Sequence, residues 1–369
     1  AGREAVRPPA ALRPFRRDPR SRPLIRLSSP SSISAEARVV TDVGEWLDLL
    51  RGPFRGCADV YHHPDYVLAE ARRQGARPGL VVAEAAGHLV GLPLLFRRVP
   101  GRADLCDATS VYGYNGLLFS GEPGSEAAPE AIVALERALY LRGCVAVFNR
   151  SHPLRPAQLP GRKVVGETLL LPLAGGLADY ESGLSEGHAY DLRRMRADGL
   201  RAGPDAECRH FADFHRMYLQ TMERVGAAAA YSFDAAYLRS QLAMPSLDAQ
   251  LWLAWAGDRL AAAAVFFRGS LCAHYHLSAS DRAVSRHAAT KLILDEFIRA
   301  EIAAGRRAYL HLGGGVGAAV DSLNRFKRGF GARPAPFALT RWIIRPADYD
   351  QLSEGRPEGD YFPAYRNPL

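Results

Sequence analysis

Residues 80–96 read LVVAEAAGHLVGLPLLF, and residues 251–267 read LWLAWAGDRLAAAAVFF. Each stretch is a pair of apolar runs of strand length, Leu80–Ala85 with Leu89–Phe96 and Leu251–Ala256 with Arg259–Phe267. The runs are split by Gly87-His88 in one case and Gly257-Asp258 in the other, the pattern of an antiparallel hairpin. A shift of 171 positions lays one hairpin on the other without a gap: Leu80 falls on Leu251, Ala83 on Ala254, Ala85 on Ala256, Leu89 on Leu260, Phe96 on Phe267 and Arg97 on Arg268. Tyr66, ahead of the first hairpin, falls on Tyr237. Identities at one fixed offset, with a shared element order around them, point to internal duplication.

The surroundings of the two hairpins agree. Asp59 to Arg73 reads as a helix before the first, and Pro129 to Leu141 as a helix leading to a short strand, Val145 to Phe148. Pro93 inside the second strand has no N–H to donate, which predicts an edge or a bulge there. Ahead of the second hairpin, Phe214 to Glu223 and Phe233 to Leu242 read as helices, and Leu271 to Ser278 continues the meander. A long helix from about Ser285 to Ala304 sets Ala289, Ile293, Phe297 and Ala300 on one stripe with Leu294, Ile298 and Ile302 beside it. A strand near Ala308 to Leu312, a glycine loop, a short helix and a strand from Phe337 to Ile344 follow. The expected class is α/β in the α+β sense: two tandem domains, 35–175 and 176–345, each a mixed, mostly antiparallel sheet flanked by helices, with 346–369 as a C-terminal tail.

A chain of 369 residues is long enough for two such cores. No apolar run reaches the roughly 20 residues of a membrane helix and no signal pattern opens the chain, so a soluble, cytoplasmic protein is expected. Cys57, Cys106, Cys144, Cys208 and Cys272 are scattered, with no pair at zinc-ribbon spacing, and read as buried free thiols. Of the net charge of +8, residues 1–26 supply +6 through eight arginines against Glu4 and Asp18, so the remainder is only mildly basic. Residues 1–34, rich in Arg, Pro and Ser with no apolar period, read as a disordered arm or linker. A start at Ala1 fits a segment joined to an upstream fused domain as well as it fits a processed terminus.

Chemistry concentrates near the end of the second repeat. His311 to Gly317 closes a strand with four glycines, which allow close backbone approach and positive φ, and Asp321 or Ser322 can cap a helix carrying Arg325, Phe326, Lys327 and Arg328. Lys327 is one of three lysines, with Lys163 and Lys291. Arg193, Arg194, Arg196 and Arg201 fall in a helix opening the second half, where phosphate contact and a plain exposed helix are both open readings. His274 and His276 flank Tyr275 on a strand and share a face with Cys272. No third ligand at metal spacing follows, so no metal is expected; a histidine there can instead act as base for an attacking amine.

The helix, hairpin, helix and strand unit, present twice, resembles the duplicated fold of the Fem-like peptidyltransferases, a branch of the GNAT acyltransferase superfamily. The resemblance covers most of the chain after residue 40. Its signatures are Gly113-Tyr114-Asn115-Gly116, Tyr190-Asp191-Leu192-Arg193-Arg194, and Leu312-Gly313-Gly314-Gly315 followed by Phe326-Lys327-Arg328-Gly329-Phe330-Gly331. It implies aminoacyl-tRNA as donor and a small amine as acceptor, as in peptide or antibiotic biosynthesis, with no DNA partner, no membrane span and no cofactor. Phe326 and Lys327 then match the family's Phe-Lys pair at the acyl-transfer site, with His276 as a further catalytic candidate. Tyr112, Tyr114 and Asn115 line the acceptor cleft, joined as substrate-binding candidates by Tyr275, Gly313 and Gly314. Arg193, Arg194, Arg196, Arg282, Arg286, Arg325 and Arg328 are the candidates for tRNA or phosphate. The alternative on the same fold is N-acetyl transfer from acetyl-CoA. Its pyrophosphate loop needs glycines that Ser280 to Ala288 lacks, although Arg282, Arg286 and the helix end keep an anion site there. A third reading is a non-catalytic RNA- or protein-binding module.

Overall fold

The computed structural model describes residues 36–367 apart from 86, 121–128, 156–158, 229–230, 282, 285–288, 316–320 and 358. The arm expected over 1–34 lies outside the described residues, as do Arg282 and Arg286. The first repeat runs β1 Glu36–Val40, α1 Val43–Arg51, α2 Pro64–Gln74, β2 Arg77–Ala85, β3 His88–Val99, β4 Arg102–Thr109, β5 Leu118–Phe119, α3 Pro129–Leu141, β6 Cys144–Arg150 and β7 Arg162–Pro172. The second opens with α4 Gly176–Gly183, α5 Glu186–Ala197, β8 Arg201–Pro204, α6 Phe211–Arg224 and α7 Ala235–Leu242. It continues with β9 Gln250–Ala256, β10 Arg259–Arg268, β11 Ala273–Ser280, α8 Thr290–Ala304, β12 Tyr309–Gly313, α9 Ser322–Arg328, β13 Arg333–Ile343 and α10 Pro346–Ser353. The duplication is visible in the elements: the first residues of α2 and α7, of β3 and β10, of β4 and β11, and of β7 and β13 are each 171 positions apart.

Both repeats share one sheet, in the order β1-β2-β3-β4-β6-β13-β7-β12-β11-β10-β9-β8, with β5 on β3. The closing strands are exchanged. β7 ends the first repeat yet pairs with β12, from Tyr309↔Pro172 onward, while β13 ends the second and pairs with β6 as well as β7. A cut at residue 175 therefore parts sequence repeats, whereas the hydrogen bonds cross it in both directions.

Two local expectations need correction. The helix expected from Asp59 is broken: Val60–His62 forms a 3-10 turn capped by Asp59, and α2 starts afresh with Pro64 at its first position, since a proline cannot continue the preceding turn. Nor is the strand holding Pro93 an edge strand, because β3 pairs β2 on one side and β4 and β5 on the other. β5 takes Val90 and Gly91 and β4 takes Leu95 to Val99, which leaves Pro93 at a gap between them. There Asn115 Nδ2 donates to the Pro93 carbonyl at 3.1 Å, so no ladder bond is lost to the missing N–H.

One face of the sheet is covered by α1, α2, α6 and α7, whose Trp46, Tyr66, Phe214 and Leu238 form a core common to both repeats. The other face holds two separate cores, one under α3 and one under α8. On the shared face, the fully buried Glu70 of α2 accepts from Tyr237 of α7 at 2.5 Å, from Arg73 at 2.7 Å and from the Tyr112 backbone N–H at 3.0 Å. The region expected as a tail carries α10 and a 3-10 turn at Ala364–Arg366, where Tyr365 is buried against Val99, Leu105 and Val145. Arg366 pairs with the buried Asp107 of β4.

Candidate active site

Two parallel strands part company in the second repeat. β11 and β12 pair only at Ala273↔Leu310 and His274↔His311, although β11 runs on to Ser280 and β12 to Gly313. In the first repeat the equivalent strands β4 and β6 stay paired up to Thr109↔Phe148, the last residue of β4. The opening therefore forms on the second repeat, next to the glycines that end β12.

Gly313 has φ +72°, and a Cβ built on it would lie 3.4 Å from Lys327 Nζ and 3.7 Å from the Tyr114 hydroxyl. The missing side chain keeps open the space that these two donors flank. Lys327 is placed by α9, whose N-terminus Asp321 caps by accepting from Asn324 N–H at 2.8 Å. Its Nζ donates to the Gly314 carbonyl at 2.7 Å and the residue is only 6% exposed. Burial lowers its pKa to about 8, opposed by the charge of Asp321. The ammonium is thus a desolvated cation whose one hydrogen bond among the described residues goes to the Gly314 carbonyl.

Around it stand aromatic and imidazole groups. The Tyr114 ring meets His311 edge-on at 4.4 Å, and burial raises the pKa of its hydroxyl, which therefore keeps its proton. Thr168 Oγ1 lies 2.5 Å from His311 Nε2. Burial, with His274 beside it, holds the His311 pKa well below the usual range, so the ring is neutral. His276 stacks on Phe267 at 4.0 Å and places Nδ1 3.4 Å from the Tyr61 hydroxyl. Part of this residue reaches solvent, but its Nε2 is enclosed and has no protein partner among the described residues. Burial, then the neighbouring His274, lowers its pKa to about 3, so the ring is neutral at neutral pH and can accept a hydrogen bond rather than hold a proton.

The remaining candidates scatter. Tyr112 joins this wall, 5.7 Å from the His276 ring, but its backbone is tied to Glu70 and Tyr66. Asn115 is spent on structure, bonding Pro93 O and Gly116 N–H. Tyr275, one residue from His276, points through the sheet and packs on Phe266 in the α8 core, as strand alternation requires. Phe326 turns from Lys327 toward α5, where its carbonyl lies 2.9 Å from His188 Nε2. Arg328 pairs with Glu167 at 2.6 Å, and Arg325 is exposed. Arg196 is committed to the fully buried Asp295 and to Glu296, while Arg201 lies on β8 rather than on the helix. Sequence reasoning missed Tyr61, Thr168 and His311 as neighbours of this site. His311 alone carried a signal, the glycines that follow it.

Arg193 and Arg194 remain exposed on α5, and Arg193 borders a groove with His188, Tyr190 and Lys291. Arg194 is held only at the surface, 3.7 Å from Asp198. Replacing both by Ala is expected to raise KM for an anionic substrate while kcat holds, because phosphate contacts position rather than react. The loss shrinks as salt is raised. A KM unchanged for both substrates would leave this helix a structural element only.

Residues 187–328 match the Acetyltransferase (GNAT) domain family. No curated protein matches the chain by sequence. Among solved structures the chain is similar to FemX, with 13% identity, a TM-score of 0.62, and 86% of this chain and 99% of that one covered. It is also similar to a conserved protein of unknown function from Bacteroides thetaiotaomicron, with 7% identity, a TM-score of 0.53, and coverage of 85% and 100%. A third likeness is to the C-terminal domain of a protein assigned as a lysylphosphatidylglycerol synthetase from Agrobacterium fabrum, with 12% identity, a TM-score of 0.50, and coverage of 84% and 95%.

Proposed function

Since the chain has the GNAT acyltransferase fold in its Fem-like, duplicated form, we propose that it joins the aminoacyl group of a charged tRNA to the amine of a small acceptor. The observation that carries this reading is the desolvated Lys327 ammonium beside Gly313, with the Tyr114 hydroxyl near the same glycine. An aminoacyl ester is already activated, so the protein has to align amine and carbonyl and to stabilise the oxyanion of the tetrahedral intermediate. Lys327 and Tyr114 supply two donors for that oxygen. The attacking nitrogen loses a proton as the C–N bond forms, and that proton passes to the tRNA oxygen; His276, neutral with its pKa lowered to about 3, is too weak a base to keep it but can accept a hydrogen bond from the amine. The tRNA hydroxyl leaves as the ester C–O bond breaks. The absence of glycines from Ser280 to Ala288 supports an aminoacyl-tRNA over an acyl-CoA donor, because backbone approach to a pyrophosphate needs them.

The test is to incubate the purified chain with candidate amines and either charged tRNA or acetyl-CoA. RNase-sensitive amide formation is the expected result; transfer from acetyl-CoA without tRNA overturns the reading of the donor. The pH profile separates the roles of Lys327. An oxyanion-stabilising ammonium is lost as pH rises through about 8, so kcat falls on that limb. In Lys327→Arg, whose guanidinium stays charged, the limb is expected to vanish even if the rate is lower throughout. A limb that persists unchanged in this variant assigns it to another group.

A further inference from the structure

Asp59 precedes α2, His152 follows β6, and Cys272 and His274 stand at the start of β11. Their side chains meet at one point where the two repeats touch. His274 Nε2 lies 2.9 Å and His152 Nε2 3.1 Å from Asp59 Oδ2, with Cys272 Sγ 3.7 Å from the same oxygen and 3.5 Å from His274 Nε2. All four residues are buried, and one ligand atom from each falls within 4.8 Å of every other. A tetrahedral zinc site with bonds of about 2.0–2.3 Å separates its ligand atoms by about 3.3–3.8 Å, so the two histidine contacts to Asp59 have to open by a few tenths of an ångström and any pair near the 4.8 Å limit has to close by about 1 Å.

The charges also fit. Asp59 is fully enclosed, and both histidines turn a ring nitrogen toward its Oδ2. Burial pushes the Cys272 thiol well up, so without a cation it stays protonated. Zinc(II) with one carboxylate, one thiolate and two neutral imidazoles sums to zero, which removes the cost of leaving a charge buried. We propose that Asp59, His152, Cys272 and His274 bind one zinc(II) ion in a closed, four-ligand structural site that clips the two repeats together. Binding forms the zinc–sulfur bond as the Cys272 proton leaves to solvent, and each histidine then carries its proton on Nδ1. For His274 that proton faces His311 Nδ1 at 3.4 Å, and Thr168 holds the far side of His311. For His152 the contact from Leu154 N–H to Nδ1, at 3.2 Å, has to break on loading, because both groups are then donors. Gly269 leaves the room for Asp59: a Cβ there would overlap its Oδ1.

The test uses the untagged full chain, produced with added zinc and dialysed against metal-free buffer. Elemental analysis is expected to find about one zinc per chain. Cys272→Ser and Asp59→Asn are expected to lose it, whereas Cys208→Ser, outside the cluster, keeps it. After chelation the wild-type chain is expected to melt at a lower temperature, and cobalt(II) added back gives a thiolate-to-cobalt charge-transfer band. Wild-type chain that is folded by circular dichroism but holds no zinc and gives no such band overturns the proposal, whatever the variants do. Zinc retained undiminished in both Cys272→Ser and Asp59→Asn overturns it as well.

Discussion

Lys327→Met lowers the turnover rate about 10²-fold or more at saturating donor and acceptor, the range expected when one oxyanion donor is lost. Methionine is the informative replacement because the lysine is buried at 6% exposure, and alanine would leave a void beside Gly313 as well as remove the charge. The Gly314 carbonyl loses its partner in either case, at a cost of about 1–3 kcal/mol that the melting curve registers separately from the rate. Arg325→Ala, an exposed cation on the same helix, is the control for a general loss of positive charge. Normal turnover in folded Lys327→Met removes this residue from the mechanism and shifts attention to His276 and Tyr114.

Glu70→Ala produces the largest expected loss of stability, about 3–5 kcal/mol, the range for breaking a buried ion pair. The carboxylate serves Arg73, Tyr237 and the Tyr112 N–H at once, and so ties α2 of one repeat to α7 of the other. Burial favours its neutral form, but the Arg73 and Tyr237 hydrogen bonds win and hold its pKa below the ordinary carboxylate value. A lowered pKa means that this contribution is complete above the ordinary glutamate range and is lost as pH falls through the folded value. The gap in urea midpoint between wild type and Glu70→Ala is therefore wide at neutral pH and narrows in acid. A gap of under about 1 kcal/mol at pH 7 would show that the ion pair is offset by desolvation.

The duplication was legible because the α2–β4 segment and its copy carry no insertion relative to each other, so one offset registers every element between them. The hairpins, α3 and the run of α8 came from apolar periodicity strong enough to survive tertiary context. β1, β4, β7 and β8 went unread: Arg102–Thr109 and Arg162–Gly166 alternate poorly, and a short edge strand such as Arg201–Pro204 has no period to detect. The glycines before α9 marked Lys327 in the sequence, but the partners that define its surroundings did not show. Tyr114 reaches it from a loop of the first repeat and Thr168 from β7, the strand exchanged into the second repeat. Asp59 and His152 were invisible beside Cys272 and His274 for the same reason, since ligand spacing along a chain says nothing about residues joined across a sheet.

The exchange of β7 and β13 also bears on how the chain is made. A ribosome delivers β6 nearly two hundred residues before the strand that will lie against it. Until Arg333–Ile343 emerges, the middle of the future sheet is an exposed, apolar strand edge, open to mispairing with a neighbouring nascent chain. Translation thus finishes the centre of this sheet last, and a stop codon placed shortly before β13 strips a strand from the middle of the molecule rather than from its rim.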